Sequence, residues 1–217
     1  MIDGDSSLAK PTEPEAGGCS QPLVIGVTGH RPERLSEADP EHLRARIEEI
    51  LAMITANGDS PVVLSPLAEG ADRIVAIVAL DAGLQLRCVL PFLRDEYVLD
   101  FSTTASRVEF HELLSRAQDI VELAGSMQSN DERQSAYAAV GASTVQQSDI
   151  LLAIWDGHTA RGEGGTGDVV SQGLRLGRPV VWIKPDSSIS TRILIRNSSG
   201  ETEVHPLMEL RAILASF

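Results

Sequence analysis

Four stretches of the chain concentrate residues that pack a core poorly and hold anions well: "IGVTGHRP" (25–32), "SPLAEGAD" (65–72), "PFLRDEY" (91–97) and "WDGHTARGEGGTGD" (155–168). In the first, Gly26, Thr28, Gly29, His30 and Arg31 follow an apolar run. A guanidinium beside a Gly-rich turn suits bidentate recognition of phosphate, and a salt bridge in this acid-rich chain is the competing use of Arg31. His30 reads as a ligand contact, a proton donor or an exposed loop histidine, and Gly26 and Gly29 read equally as tight-turn glycines. In the second, Ser65 ends a strand, and Glu69, Gly70, Ala71 and Asp72 start a helix, where Asp72 also answers the helix dipole. In the third, the ring of Phe92, the guanidinium of Arg94 and the phenol of Tyr97 could hold a base and a phosphate, although Tyr97 also fits as helix-face packing.

The last stretch is the richest in glycine. Gly164, Gly165 and Thr166 precede a helix, so free backbone N–H groups form an anion cradle, with Thr166 as hydroxyl donor or N-cap. Gly162, Gly164 and Gly167 also satisfy G-x-G-x-x-G, with Asp186 after the next strand, which is the weaker reading of a dinucleotide site. Asp156 could hydrogen-bond a ribose or a base, or close a turn with Gly157. Asp168 and Glu69 are the carboxylates available for acid chemistry. Trp155 and Trp182 lie in apolar strands and read as core. His30, His42, His111, His158 and His205 show no metal-ligand spacing, so no metal is expected.

These stretches need a scaffold that brings them to one edge, and the apolar pattern supplies it. Strands are expected at 22–27, 61–65, 84–92, 119–125, 149–157 and 178–185, alternating with helices at about 39–58, 69–83, 131–147 and 167–177. One short and one longer helix fall between residues 93 and 117, and "HPLMELRAILAS" closes the chain as a helix. Asp39 is the expected N-cap of the first helix and Pro40 its first residue, with Leu43, Ile47, Ile50, Leu51 and Ile54 on one face. A short edge strand is expected near Ile193–Ile195. The pattern is that of an α/β Rossmann-like three-layer sandwich, a mostly parallel central sheet with helices on both faces. Ligands of such sheets bind outside the carboxyl ends of the strands, where all four stretches fall.

The 217 residues suffice for one folded domain at 21–217, with 1–20 as a disordered tail rich in acids, Pro and Gly. The balance of 18 Lys and Arg against 31 Asp and Glu, a net charge of -13, argues against nucleic acid as a partner. No apolar run approaches the roughly 18 residues of a membrane span, and Cys19 and Cys88 form neither a disulfide framework nor a metal site. A cytoplasmic protein is expected.

The pair "VTGHRP" and "SPLAEGAD" resembles the SLOG superfamily of Rossmann-like proteins. That superfamily joins the DprA/Smf DNA-processing proteins, the LOG phosphoribohydrolases, the YpsA-like proteins and nucleotide-sensing domains of channels and antiphage effectors. Ser65, Ala68, Gly70 and Asp72 match its S-G-x-A-x-G-x-D pattern, with Pro66 in place of the first Gly, and the likeness runs from about residue 22 to 185. The LOG motif P-G-G-x-G-T-x-x-E, aligned on Gly165 and Thr166, puts Val169 where its catalytic Glu would stand and leaves Asp168 one residue early. DprA-like members bind single-stranded DNA, which the charge balance disfavours. The resemblance thus implies a sensor of a nucleotide or nucleotide-derived signal of the ADP-ribose or cyclic-nucleotide type, with no required cofactor. Such a sensor would act through a homo-oligomer or a separate effector protein, in stress signalling or antiphage defence. The alternative is an N-glycosidase or phosphoribohydrolase, using Asp168, Asp156, Asp72 or Glu69 to stabilise an oxocarbenium-like transition state.

Overall fold

A computed structural model describes residues 21–36, 38–56, 58–160, 164–186 and 189–216. The expected tail at 1–20 and Gly162 of the glycine fingerprint lie outside them. Eight strands form one sheet in the order β4-β3-β2-β1-β5-β6-β7-β8. These are β1 (Val24–Gly29), β2 (Val62–Ser65), β3 (Gln85–Leu90), β4 (Asp119–Glu122), β5 (Ile150–Ile154), β6 (Val180–Ile183), β7 (Arg192–Arg196) and β8 (Thr202–Pro206). β1 to β6 run parallel, and β7 and β8 add an antiparallel hairpin at one edge. The α/β class and mostly parallel sheet expected from the alternating pattern are what the structure has. Strand order reverses between β1 and β5, which opens a crevice at their carboxyl ends.

The helices are α1 (Pro40–Thr55), α2 (Ala71–Asp81), α3 (Arg94–Tyr97), α4 (Thr104–Ser115), α5 (Asn130–Gln146), α6 (Thr166–Arg175) and α7 (Leu210–Leu214). Asp39 caps α1, accepting from the Glu41 and His42 N–H groups, and the five buried residues of α1 are the five expected. Strand periodicity divides the core. In β5, Ile150, Leu152 and Ile154 face α1, α2, α4 and α7, while Leu151 and Ala153 face α6 and the end of α5. The second face is thin because it is built from small residues. A Cβ on Gly26 would lie 2.0 Å from Ser148 Oγ, and one on Gly173 would lie 2.3 Å from the Leu151 side chain.

Several boundaries depart from the sequence reading. β1 runs on through Thr28 and Gly29, because both pair with β5 at Ala153 and Ile154. Gly29 is thus no turn glycine: a Cβ there would meet that of Ala71 at 2.3 Å, so it admits α2 to the strand. Glu69 and Gly70 precede α2 rather than belonging to it, with Gly70 at φ 96°. β8 went unforeseen, and it takes His205 and Pro206 from the expected terminal helix by pairing them with Ile193 and Arg192. Among the described residues no helix is long and apolar enough to cross a membrane.

Candidate functional site

The crevice holds a cavity of about 250 Å³, close to the lower end of small-molecule sites, which begin at roughly 300 Å³. Thr28, Gly29, His30 and Arg31 form its floor, Asp72 and Tyr97 one side, and Gly164, Gly165 and Thr166 the other. Sequence reasoning missed its fourth wall, the α5 face of Tyr137, Val140, Gly141 and Thr144. The signal was present as the i, i+3, i+4, i+7 spacing of one helical face. Glu33, Arg34 and Val169 also line the cavity.

His30 is buried, not an exposed loop residue, because it continues β1 through a bond from its N–H to the Ile154 carbonyl. Its Nε2 lies 3.1 Å from both the Asp156 N–H nitrogen and Asp156 Oδ1. The Asp156 carboxylate already accepts from Arg34 and from the His158 N–H, whereas His30 is the acceptor found for the Asp156 N–H. With Nε2 accepting from that N–H, the neutral ring carries its proton on Nδ1, which faces Thr166 Oγ1 at 3.4 Å; the other tautomer would donate from Nε2 to Asp156 Oδ1. Burial lowers the His30 pKa, with Arg34 acting in the same direction, against the pull of Asp156. A neutral imidazole thus presents one N–H toward the start of α6. Burial alone would raise the Asp156 pKa, but the His158 N–H, His30 and Arg34 outweigh it and hold it below the usual value.

Arg31, read as a phosphate ligand, has partners within the chain. Its Nη2 donates to Asp100 Oδ2 at 2.7 Å and to Tyr137 OH at 3.0 Å, and Nη1 lies 3.9 Å from Glu69. Asp72 is buried at the cavity wall and accepts from the Ala68 N–H. Burial pushes its pKa up to about 7, against that hydrogen bond and the charges of Arg31 and Arg73.

The α6 end is different in kind. Gly165 occupies the N-cap position with no side-chain capping bond; the Asp168 N–H turns back to the Gly165 carbonyl, and among the described residues no side chain caps the Thr166 or Gly167 N–H at the cavity edge. Thr166 is the first helical residue, not the N-cap. Gly164 has φ 77°, and a Cβ on it would come within 2.5 Å of the Ala138 backbone nitrogen, which brings this loop against α5.

Eight of the expected site residues lie outside the cavity lining. Gly26 packs against Ser148. Ser65 is buried, accepting from the Leu67 N–H and donating to the Asp72 carbonyl. Gly70 caps α2 beneath the His30 carbonyl, and Glu69 bonds Ser106. Phe92 is core, tilted against Tyr97 and edge-on to Tyr137, and Arg94 pairs with Glu122 at the surface. Tyr97 is itself fully buried among Phe92, Phe101 and Phe110. Asp168 is exposed while its neighbour Val169 lines the cavity, because successive helical residues point about 100° apart. Asp156 lines a neighbouring cavity of about 340 Å³ with Lys184 and Asp186, which shares Glu33 and Arg34 with the first. Trp155 and Trp182 are half-buried and packed on one another, centroids 5.7 Å apart. Among the described residues no His, Cys, Asp and Glu cluster fit to hold a metal occurs.

Comparison of the sequence with protein-family models and with curated proteins returns no match. Solved structures do match. The structural-genomics target TM1055 aligns with a TM-score of 0.53 at 14% identity, over 91% of this chain and 100% of that one. DNA processing protein A from Helicobacter pylori, described for its single-stranded DNA binding mode, aligns with a TM-score of 0.51 at 16% identity, over 74% of this chain and 65% of that one. DprA from Streptococcus pneumoniae aligns at 0.46 and 16% identity, over 74% of this chain. The chain spans half the length of that DprA. The expectation that charge balance argues against nucleic acid is corrected by this likeness: the fold is one that a single-stranded-DNA-binding protein uses, so a net charge of -13 does not exclude such a partner. The architecture anticipated from the alternating pattern is the one found: the chain has an α/β Rossmann-like fold, shared with TM1055 and the Helicobacter pylori DNA processing protein A.

Proposed function

We propose that the crevice binds a nucleotide or nucleotide-derived signal without cleaving it, with a phosphate on the N–H groups that open α6 and the base between Tyr137, Val140 and Val169. The observation that carries this reading is the pairing of an uncapped helix N-terminus with an apolar wall at the position where LOG enzymes place a carboxylate. Val169 lines the cavity there and Asp168 faces solvent, so neither supplies charge to an oxocarbenium-like centre. The Nδ1–H of neutral His30 adds a donor beside the same phosphate position. A cavity of about 250 Å³ fits a mononucleotide, and a longer ligand such as ADP-ribose would extend past Arg34 toward Asp156. Output would then pass to a second copy or a separate effector chain.

A second reading rests on Asp72. A buried carboxyl with a pKa of about 7 at the cavity wall is the kind of group that acts as a general acid, which keeps base release as the alternative. Incubation with AMP, NAD, ADP-ribose, cyclic ADP-ribose isomers and a single-stranded oligonucleotide separates the readings, by thermal shift and chromatography of the recovered ligand. A raised melting temperature with intact nucleotide is the expected result. Base release lost in Asp72→Asn replaces it with the enzyme reading, and a shift with the oligonucleotide alone overturns both.

A further inference from the structure

Arg31, Tyr137 and Asp100 make an arrangement that neither the fold nor the α6 cradle requires. Asp100 Oδ2 accepts from Arg31 Nη2 at 2.7 Å and from Tyr137 OH at 2.5 Å. Arg31 Nη2 also donates to Tyr137 OH at 3.0 Å, and its guanidinium lies 5.4 Å from the centre of that ring. On the far side Arg133 Nη1 stands 3.7 Å from Asp100 Oδ1, too distant for a hydrogen bond. A guanidinium and a phenol converging on one oxygen is the geometry with which proteins receive a phosphate. Here the oxygen belongs to the chain itself.

Arg31 and Tyr137 line the cavity and Asp100 does not, so an anion in the cavity reaches the same two donors from the open side. The seat also has donors to spare. Arg31 carries five N–H groups, of which its nearest partners are Asp100, Tyr137 and a distant Glu69 carboxylate. Burial holds Tyr137 protonated, with Asp100 acting in the same direction, so the phenol keeps its proton to donate. The backbone around Asp100 is pinned by the buried rings of Tyr97 and Phe101, while Leu99 is 66% exposed. The Asp100 side chain itself is 11% exposed, so displacement means rotation about its own torsions toward Arg133, which is 43% exposed and stands beside its outer oxygen.

We propose that Asp100 is an internal plug that stands in for an anion on Arg31 and Tyr137, and that a second phosphate of the ligand displaces it toward Arg133. The proposal rests on the crevice being a nucleotide site, and adds that its ligand carries more than one anionic group, as a nucleoside diphosphate does. Two groups are then held: one on α6, one on Arg31.

Titration calorimetry at low ionic strength with ADP, AMP and pyrophosphate, on wild type, Asp100→Asn and Arg133→Gln, tests it. Asp100→Asn keeps the shape and removes the charge, and is expected to bind ADP and pyrophosphate about ten-fold more tightly with little gain for AMP. Arg133→Gln is expected to weaken ADP binding a few-fold, since the displaced carboxylate loses its receiver. If Asp100 merely braced Arg31 for the ligand, Asp100→Asn would bind more weakly. Equal or weaker ADP binding in Asp100→Asn, with wild type binding AMP, overturns the plug and leaves the nucleotide site standing. Absence of binding by both proteins overturns the nucleotide site and the plug together.

Discussion

The two long walls of the crevice treat their polar groups in opposite ways. On the side of β1, α2 and the 98–103 segment, most donors and acceptors satisfy one another, and Arg73 Nη2 is the buried exception there among the described residues. Arg31 meets Asp100 and Tyr137, Ser65 meets Leu67, Asp72 meets Ala68, and Arg73 meets the Leu67 and Ser106 carbonyls and Glu109. On the side of β5 and α6, the helix begins at a glycine with no capping side chain, and a neutral imidazole points a donor at the gap. Apart from the Asp100 plug on Arg31 and Tyr137, the first wall is built to be rigid and the second to receive. Polar groups left without partners are costly to bury, so the open wall is where the proposed ligand would complete the structure.

If that contrast is right, damage to the first wall should appear in stability and damage to the second in binding. The largest effect is expected at Gly70. Its φ of 96° already disfavours any side chain, and a Cβ would stand 2.6 Å from the His30 carbonyl oxygen. Gly70→Ala should cost about 3 kcal/mol in urea unfolding, because backbone strain and a clash with fixed backbone add. A loss below about 1 kcal/mol, the scale of an ordinary substitution, would mean that this wall is not rigid.

Next is Asp72, through pH. Its carboxyl is raised from 3.8 to about 7 by burial, so the native state favours the protonated form. The resulting stability is fully present below about 3.8 and lost as pH rises through about 7. His30 runs the other way. With its pKa lowered, it contributes above the unfolded value of 6.5 and loses stability as pH falls. Comparison of wild type with Asp72→Asn cancels the histidine. The difference in unfolding free energy between the two should grow by on the order of 2 kcal/mol from pH 5 to pH 8, in favour of the variant. A constant difference would mean that the carboxyl is ionised throughout.

The receiving wall is best broken by supplying the missing cap. Gly165 has φ -71° and ψ 163°, which an aspartate adopts without strain. Gly165→Asp places a carboxylate on the α6 N–H groups, so AMP affinity should fall about ten-fold or more while the melting temperature holds or rises by a few tenths of a kcal/mol equivalent. Unchanged affinity, read by thermal shift against AMP concentration, would take the phosphate off α6.

How much of this was legible follows the same division. Elements governed by local pattern were readable: the α1 face from Leu43 to Ile54, its Asp39 cap, and the delivery of β1, β2 and β5 to one edge. The receiving loop at Gly164–Thr166 was readable too, because glycines before a helix carry their conformational consequence in the residue type. What could not be read was pairing between distant residues. Nothing near Arg31 announces Asp100, which is 69 positions away, or Tyr137, which is 106 positions away. The burial of His30 depends on β1 continuing beside β5, and the loss of Asp168 from the site depends on the phase of α6. Charge balance misled about nucleic acid because a formal sum has no geography.

The smallest effect distinguishes the two donors of the open wall. Thr166 Oγ1 faces His30 Nδ1 at 3.4 Å, long for a hydrogen bond, so little native stability depends on that contact. A bound phosphate would shorten the geometry by accepting from both. Thr166→Val, which keeps the shape and removes the hydroxyl, should therefore leave the unfolding midpoint unchanged and weaken AMP binding by about 1 kcal/mol, roughly five-fold. A destabilised variant with normal affinity would move Thr166 to the rigid class, and would leave the backbone N–H groups and His30 as the receiving set. Loss in Thr166→Val that vanishes in a Gly165→Asp background would instead show that hydroxyl and helix end act on binding as one unit, since independent sites would add.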